Sequence, residues 1–573
     1  MRIAVLNKDR CKPKDCNYLC FRICPKVKTG DEAIVIDEKT SQPVISEVLC
    51  TGCGICVKRC PYKAITIINL PEELGSPVHK YGKNGFRLYN LPTPIAGVVG
   101  IIGRNALGKT TAMKILSGQL KPNLGKEEAE WEEIIEHFKG TEMQSYFEKL
   151  KDKKIKVVYK IQNVDLIARH LKGKVKAILE NSDEKGNLDE IVEKLELKNT
   201  LGKKINELSG GELQKVAIAA SLTKEADLYI FDEPSSYLDV KERLRVARII
   251  REELATKQVL VVEHDLIVLD YLSDYIHVSF GKPGAYGIIS SRKSVRIGIN
   301  EYLSGFLKAE NMRFRDEEIK FQLLAEKDEV LEEKLLSYPK LEKKYPKFSL
   351  SVEEGEIFKR EILGILGSNA TGKTTFMKML AGVINPDNLK LDFDVKISYK
   401  PQYIKPVEKK VRDLKLNPKL IEAFDLAYLL DSSLTELSGG ELQKVAITEC
   451  LSKEADIYLL DEPSAYLDIE ERLFLAKYLK RFCHEKEVAA IVIEHDLSLL
   501  DYLSDRILVF LGIPGKEGKA SKPLKLRDGM NLFLKEMNIT FRRDKDTLRP
   551  RANKPGSVKD REQKEKGEYY YMF

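Results

Sequence analysis

Apolar residues in this chain gather into short unbroken runs. Residues 95–102 and 362–366 lead into glycine-rich stretches, residues 228–231 and 457–460 end at paired acids, and residues 259–262 and 489–493 stop at Glu-His-Asp. Runs of this length predict strands buried in an α/β fold. The period changes between residues 126 and 154. Trp131, Ile134, Ile135 and Phe138 form a helical stripe broken at Gly140, and Met143, Phe147 and Leu150 share a second face after Thr141-Glu-Met-Gln144, which resembles a capping box. A helix-loop-helix is expected near 126–154, and a surface hairpin packed for its own sake remains open.

The pattern repeats. Glu207-Leu-Ser-Gly-Gly-Glu-Leu-Gln-Lys-Val-Ala-Ile218 recurs unchanged at residues 436–447, an offset of 229 residues. The Gly-x4-Gly-Lys-Thr runs at Lys109 and Lys373 lie 264 apart, so the first copy carries 264 − 229 = 35 extra residues, assigned to the helix-loop-helix. A looser repeat pairs Gly298-Ile-Asn300, Leu303 and residues 311–315 with Gly529-Met-Asn531, Leu534 and residues 538–542. These segments read as hinges after each copy, or as ordinary linkers.

Length and charge bound the rest. A chain of 573 residues holds about four domains. No apolar stretch is long enough for a membrane span and residues 1–11 lack the apolar centre of a signal peptide, so a cytoplasmic location is expected. An N-terminus without an extension fits an archaeal source. The net charge of +7 is mild. From Arg542 onward there are ten Lys or Arg and six Asp or Glu with little apolar periodicity, which predicts a flexible basic tail.

The glycine-rich runs carry phosphate chemistry. Gly103-Arg-Asn105-Ala-Leu-Gly108-Lys109-Thr110-Thr111 and Gly367-Ser-Asn369-Ala-Thr-Gly372-Lys373-Thr374-Thr375 are strand-to-helix P-loops. Glycines let backbone N–H groups approach phosphate, the lysines reach the β and γ oxygens, and Thr110 and Thr374 hold magnesium. Asp232 and Asp461 are the magnesium carboxylates, and Glu233 and Glu462 the bases for water. His264 and His495 follow the next apolar strand in register and are expected at the γ-phosphate. Tyr81 and Tyr345, ahead of the P-loops, either stack on adenine or fill the core.

Eight of the ten cysteines precede residue 61, a clustering that points to a cofactor rather than to disulfides. Cys50-x2-Cys53-x2-Cys56-x3-Cys60-Pro61 matches the ferredoxin spacing, and Cys11-x4-Cys16-x3-Cys20-x3-Cys24-Pro25 is a looser companion. Two [4Fe-4S] clusters are expected, with two zinc sites as the alternative. Clusters in so small a domain read mainly as staples. Cys450 and Cys483 stand alone and read as buried thiols.

These motifs resemble the ABC ATPases. Leu-Ser-Gly-Gly-Glu, with Ser209, Gly210 and Gly211 in one copy and Ser438, Gly439 and Gly440 in the other, looks like their signature. Asp239 and Asp468 resemble the D-loop, and Gln162 and Gln402 the Q-loop, the first a poorer match; Ala106 and Ala370 stand where family P-loops commonly have glycine. The resemblance implies a monomer whose two modules pair head to tail. Lys109, Asp232, Glu233 and His264 would then work with Ser438, and Lys373, Asp461, Glu462 and His495 with Ser209. In the ferredoxin arrangement Cys11, Cys16, Cys20 and Cys60 hold one cluster and Cys24, Cys50, Cys53 and Cys56 the other.

Ferredoxin-like runs before two such modules, with an insertion in the first, resemble one family, the ABC-E ribosome-recycling ATPases, also called RNase L inhibitors. The implied fold is α/β, two tandem ABC-type P-loop ATPase domains preceded by an α+β ferredoxin-like two-cluster iron–sulfur domain. Its expected boundaries are residues 1–75 for the iron–sulfur domain, 76–284 for the first ATPase domain, 285–320 for a hinge, 321–520 for the second ATPase domain, and 521–573 for a second hinge and the tail. The implied function is ATP-driven splitting of ribosomes, with the small subunit's RNA and protein and a release factor or Pelota-type protein as partners. The acidic run Glu127, Glu128, Glu130, Glu132, Glu133 and Glu136 is a poor face for a phosphate backbone, which moves the expected RNA contact to the second helix, the loop or the basic hinges. An energy-coupling ATPase for a separate membrane transporter is the main alternative, and an electron-transfer protein a lesser one.

Overall fold

A strand buried on both faces must be apolar at nearly every position, and the central strands of each copy obey this. The computed structural model describes residues 2–69, 75–164, 167, 170–321 and 333–570. In the first copy Leu228–Asp232, buried throughout, pairs in parallel with Val157–Lys160 on one side and Gln258–Val262 on the other. Gly97–Gly103 pairs in parallel with Tyr275–Lys282, which folds back into Tyr286–Ile289. In the second copy one sheet runs Leu341–Tyr345, Phe348–Val352, Glu517–Ala520, Arg506–Ile513, Ile362–Gly367, Ala489–Ile493, Ile457–Asp461 and Ile397–Lys400. The expected α/β class is what the chain adopts. No described helix is long and apolar enough to cross a membrane.

The chain divides into two units, the first made of Met1–Pro234, Ile250–His264 and Ser273–Glu317, the second of Ser235–Ile249, Asp265–Leu272 and Glu318–Phe573. In the first unit, Arg2–Leu6 pairs antiparallel with Ile65–Asn69, and Ile34–Ile36 with Pro43–Ile45, around a small core of Ala4, Leu6, Ile34, Ile45, Ala64 and Ile65. Half-buried cysteines ring that core. Asn84 pins this N-terminal region to the first copy: its side chain donates to the carbonyls of Ala4 (3.1 Å) and Ile45 (2.8 Å) and accepts from Ile45 N (2.8 Å). Glu47 adds ion pairs to Lys80 and Arg87. In the connection at residues 70–83, residues 70–74 lie outside the described residues.

The expected helix-loop-helix is Trp131–His137 and Glu142–Lys151, with Ile134 and Phe147 fully buried. The expected capping box does not form. Thr141 Oγ1 donates back to Phe138 O (2.7 Å) and Gln144 Oε1 accepts from Gly140 N (3.1 Å), because the tight turn at Gly140 offers nearer partners. The acidic first helix is largely neutralised, with Lys126 on Glu133, Lys139 on Glu136 and Lys151 on Glu132.

The helices Val295–Ser304 and Leu526–Glu536 carry the looser repeat. Each lies so close to a sheet that a Cβ on Gly298 would come within 2.5 Å of Ile276, and one on Gly529 within 2.6 Å of Ile507. The basic C-terminal segment, expected as a flexible tail, is folded in the second unit. Phe541–Arg543 pairs with Pro550–Ala552, and Ser557 caps the helix Val558–Lys566. Its interior is polar: Arg549, wholly buried, and Arg551 bind Asp270, Arg543 binds Asp501, and Thr540, Asn553, Asp560 and Gln563 share hydrogen bonds. An apolar pattern cannot reveal a core built this way.

Candidate functional site

Each P-loop leaves its strand through a glycine and enters a helix through another. Gly108 (φ 84°) precedes Lys109–Leu116 and Gly372 (φ 99°) precedes Lys373–Leu380, left-handed positions that favour glycine. The lysine head groups rest on loop carbonyls, Lys109 on Gly103 O (2.8 Å) and Arg104 O (2.7 Å), Lys373 on Gly367 O (2.7 Å) and Ser368 O (2.8 Å). Burial lowers Lys373 to about 8, with Asp239, Glu462 and Asp461 resisting the shift. Asn105 and Asn369 lie exposed at the loop tips, and Asn369 N donates to Asp239 Oδ2 at 2.7 Å within the second unit. Thr111 meets the hydroxyl of the exposed Tyr81 (3.2 Å), Thr375 is half-buried, and Tyr345 is exposed and stacked on Phe348.

The acids stand where the sheets end. Thr110 Oγ1 donates to Asp232 Oδ2 (3.2 Å) and Thr374 Oγ1 to Asp461 Oδ2 (2.8 Å). Burial raises both aspartates, Asp461 to about 6, while the threonine hydroxyls pull the other way. Glu233 and Glu462 follow in left-handed backbone (φ 48° and 47°), a conformation that costs about 1–2 kcal/mol in a residue with a side chain. Each carboxylate accepts from its Q-loop glutamine, Glu233 from Gln162 Nε2 (2.6 Å) and Glu462 from Gln402 Nε2 (2.7 Å). His264 Nε2 lies 3.6 Å from Glu233 Oε1, and His495 Nε2 3.2 Å from Glu462 Oε1. Burial works against the Glu462 charge, yet His495, Lys373 and Arg243 hold that carboxyl at about 2. A carboxylate between an amide and an imidazole is placed to accept a proton from water.

Ser209 and Ser438 cap the helices Gly210–Leu222 and Gly439–Ser452, each accepting from the N–H three residues on, and both serines are exposed. Gly210, Gly211, Gly439 and Gly440 form the first turns, so each signature presents a helix N-terminus suited to an anion.

Two pairs of residues escaped the sequence reading. Lys160 Nζ donates to the carbonyls of Asp232 (2.9 Å) and Glu233 (3.2 Å), and Lys400 Nζ to those of Asp461 (2.8 Å) and Glu462 (3.3 Å). Gln214 Nε2 donates to Glu233 O (2.8 Å) and Gln443 Nε2 to Glu462 O (2.7 Å). The signal was present, since Tyr-Lys-x-Gln recurs before both Q-loop glutamines and a lysine there interrupts an apolar strand.

The cysteines surround two cavities. One is lined by Cys24, Cys50, Cys53 and Cys56, the other by Cys11, Cys16, Cys20 and Cys60, the same two sets that a crossed ferredoxin arrangement implies. Burial first, and neighbouring thiols second, push Cys11 up to about 12 and Cys56 to about 11; burial also raises Cys20, to about 11. The all-cysteine donor set lining each cavity fits iron–sulfur chemistry.

Residues 90–236 and 348–465 match the ABC transporter family, residues 1–32 the possible Fer4-like domain in RNase L inhibitor, and residues 43–66 the 4Fe-4S binding domain. ABC transporter E family member 1 of Arabidopsis thaliana is 47% identical, covering 100% of this chain and 99% of that protein. A solved structure of ribosome-bound archaeal Pelota and ABCE1 contains a chain 53% identical with a TM-score of 0.95, covering 100% of this chain and 99% of that one. In a crystal structure of archaeal ribosomal stalk protein aP1 with the archaeal ribosome recycling factor aABCE1, the matching chain is 54% identical with a TM-score of 0.82, covering 87% of this chain and 99% of that one. This chain is a tandem ABC ATPase with an N-terminal iron–sulfur domain, and it belongs to the ABC transporter E family.

Proposed function

We propose that this chain is an ATP-driven ribosome recycling factor that splits ribosomes into subunits after termination or stalling. The observation that carries the reading is the full-length likeness to a chain solved on the ribosome beside Pelota. The ribosomal small subunit, through RNA and protein, and a release factor or Pelota-type protein are then its partners, and the cytoplasm its place of work.

In this reading two ATP molecules are bound, one by Lys109, Asp232, Glu233, His264 and Gln162 with the signature at Ser438, the other by Lys373, Asp461, Glu462, His495 and Gln402 with the signature at Ser209. Thr110 and Thr374, with Asp232 and Asp461 behind them, hold magnesium, which neutralises charge on the β and γ phosphates. Glu233 and Glu462 take the proton of the attacking water. A nucleotide contacted by both modules favours the closed state through its differential affinity, and hydrolysis removes that preference. Each cysteine cavity takes one [4Fe-4S] cluster, which predicts about eight iron and eight sulfide per chain. The iron–sulfur domain acts as the lever, and the Asn84 and Glu47 contacts are the surface that closure must displace.

Light scattering on purified ribosomes with the release factor tests the reading. Wild type is expected to split them, a Ser209→Arg/Ser438→Arg closure variant and a chain starting near Pro77 to fail. Splitting by the shortened chain removes the lever, and splitting by the closure variant removes ATP-driven closure. Metal analysis that finds stoichiometric zinc without labile sulfide removes the clusters.

A further inference from the structure

The strand beside each acid-bearing strand ends in a lysine where the sheet interior calls for an aliphatic side chain. Lys160 closes Val157–Lys160 and Lys400 closes Ile397–Lys400, and they are 3% and 1% exposed. Burial lowers both to about 8, while Asp232, Glu233 and Glu263 around one, and Asp461, Glu494 and Glu462 around the other, keep the charged form favoured. A cation is expensive to bury, so its hydrogen bonds must serve something. Neither head group is turned to the nucleotide loop. Both are spent on two consecutive carbonyls, those of the aspartate and of the glutamate after it, and the glutamate carbonyl also accepts from Gln214 or Gln443.

These carbonyls flank the one residue of the acid pair that is left-handed, at φ 48° in Glu233 and 47° in Glu462. That conformation is unfavourable for glutamate and persists only where the surroundings over-determine it. It also sets where the side chain goes. With the backbone turned this way, the Glu462 carboxylate reaches Gln402 Nε2 at 2.7 Å and His495 Nε2 at 3.2 Å. A relaxed backbone would swing the carboxylate away from both.

We propose that Lys160 and Lys400 are positioning residues that, together with Gln214 and Gln443, lock the backbone of Glu233 and Glu462 so that each carboxylate faces the attacking water. The inference rests on the reading of the two glutamates as bases. It assigns the lysines no contact with ATP, so their loss should slow turnover and leave binding alone.

The test uses the full chain with Glu233→Gln in place, so that the site containing Glu462 is the one that turns over. Lys400→Met keeps the length of the side chain and removes its donor. Expected are a fall in kcat of about tenfold or more and a KM for ATP that changes less than about twofold. Gln443→Leu attacks the same carbonyl without touching a charge, and should give a smaller fall with the same split. Lys400→Met and Gln443→Leu together should cost less than the product of the single effects, because both release one peptide. Unchanged kcat in Lys400→Met, or a fall accompanied by lost ATP binding, overturns the inference. If Lys400→Met does not fold, unchanged kcat in Gln443→Leu overturns it instead. Glu462→Gln in the same background separates the two levels. Turnover that survives there breaks the general-base reading, whereas turnover lost there but intact in Lys400→Met breaks the positioning role alone.

Discussion

In both copies the P-loop lysine rests on the same two carbonyls, a threonine meets the aspartate, and glutamine and histidine flank the glutamate. One layer further out they part. Tyr159 Oη donates to Asp232 Oδ2 at 3.1 Å, while the hydroxyl of Tyr399, at the same strand position, is buried without a partner among the described residues. The carboxylate capping the signature helix is paired with Lys203 in the first copy (Glu212, 2.6 Å), but takes a hydrogen bond from Tyr428 in the second (Glu441, 3.0 Å). Contacts that must meet a phosphate or a water were kept, as were the buried lysine and glutamine behind each glutamate, while the supports made by Tyr159 and Lys203 differ between the copies. Two sites of one geometry are therefore expected to run at different rates.

The largest effect should come from the bases themselves. Glu233→Gln and Glu462→Gln should each retain ATP and lose turnover at their own site by about a hundredfold or more, since an amide cannot accept the proton of water. The comparison predicts unequal residual rates and unequal trapped nucleotide in the two variants. Equal values for both would break it.

Next in size is a lesion that only the first copy can suffer. Phe147 is wholly buried, stacked on Phe138 with ring centroids 4.9 Å apart, and has no counterpart in the second copy because it belongs to the insertion. Phe147→Ala should destabilise the first copy by about 3–5 kcal/mol. Calorimetry should show one transition moving down while the other stays in place, and a joint shift of both would mean that the copies unfold as one.

The P-loops, paired acids, histidines and signatures were legible because each couples a fixed spacing to a strand or helix end, and both copies repeat it. The allotment of cysteines was legible only through the ferredoxin resemblance, which the two cavities match. What stayed hidden was polar and buried. Lys160 and Lys400 sit where a strand pattern reads only an interruption, Asn84 is a single amide ahead of the P-loop, and Arg549 and Asn553 belong to a core without apolar periodicity. Hydrophobic patterning finds cores made by expelling water and misses those made by satisfying hydrogen bonds. For that reason a folded C-terminal segment read as a tail.

A smaller effect isolates one of the differing supports. Tyr159→Phe removes a hydrogen bond to a carboxylate, which is worth about 1.5 kcal/mol or more, so the first site should need up to about tenfold more magnesium for half-maximal turnover. Tyr399→Phe removes a hydroxyl that bonds to nothing described and should change little. Magnesium titrations in the background of the opposite glutamate variant read each site alone, and equal responses would show that Tyr159 tunes nothing.

The smallest expected effect concerns a feature the copies share. Ala106 and Ala370 are both left-handed at φ 59°, and in each the carbonyl accepts from a hairpin glycine, Gly284 at 2.9 Å and Gly515 at 3.0 Å. A left-handed alanine costs about 1–2 kcal/mol, which Ala106→Gly or Ala370→Gly would relieve. Against that, glycine gives the unfolded chain more freedom, worth about 0.4–1 kcal/mol. The second term offsets part of the first, so each substitution should stabilise its own copy by about 0–1.6 kcal/mol. Because strain and hydrogen bond are the same in both loops, the shifts in the two calorimetric transitions should also be the same, with KM for ATP changing less than about twofold at either site. Unequal shifts would mean that equal backbone angles conceal different strain, and the division between a kept inner layer and a drifted outer one would have to be redrawn.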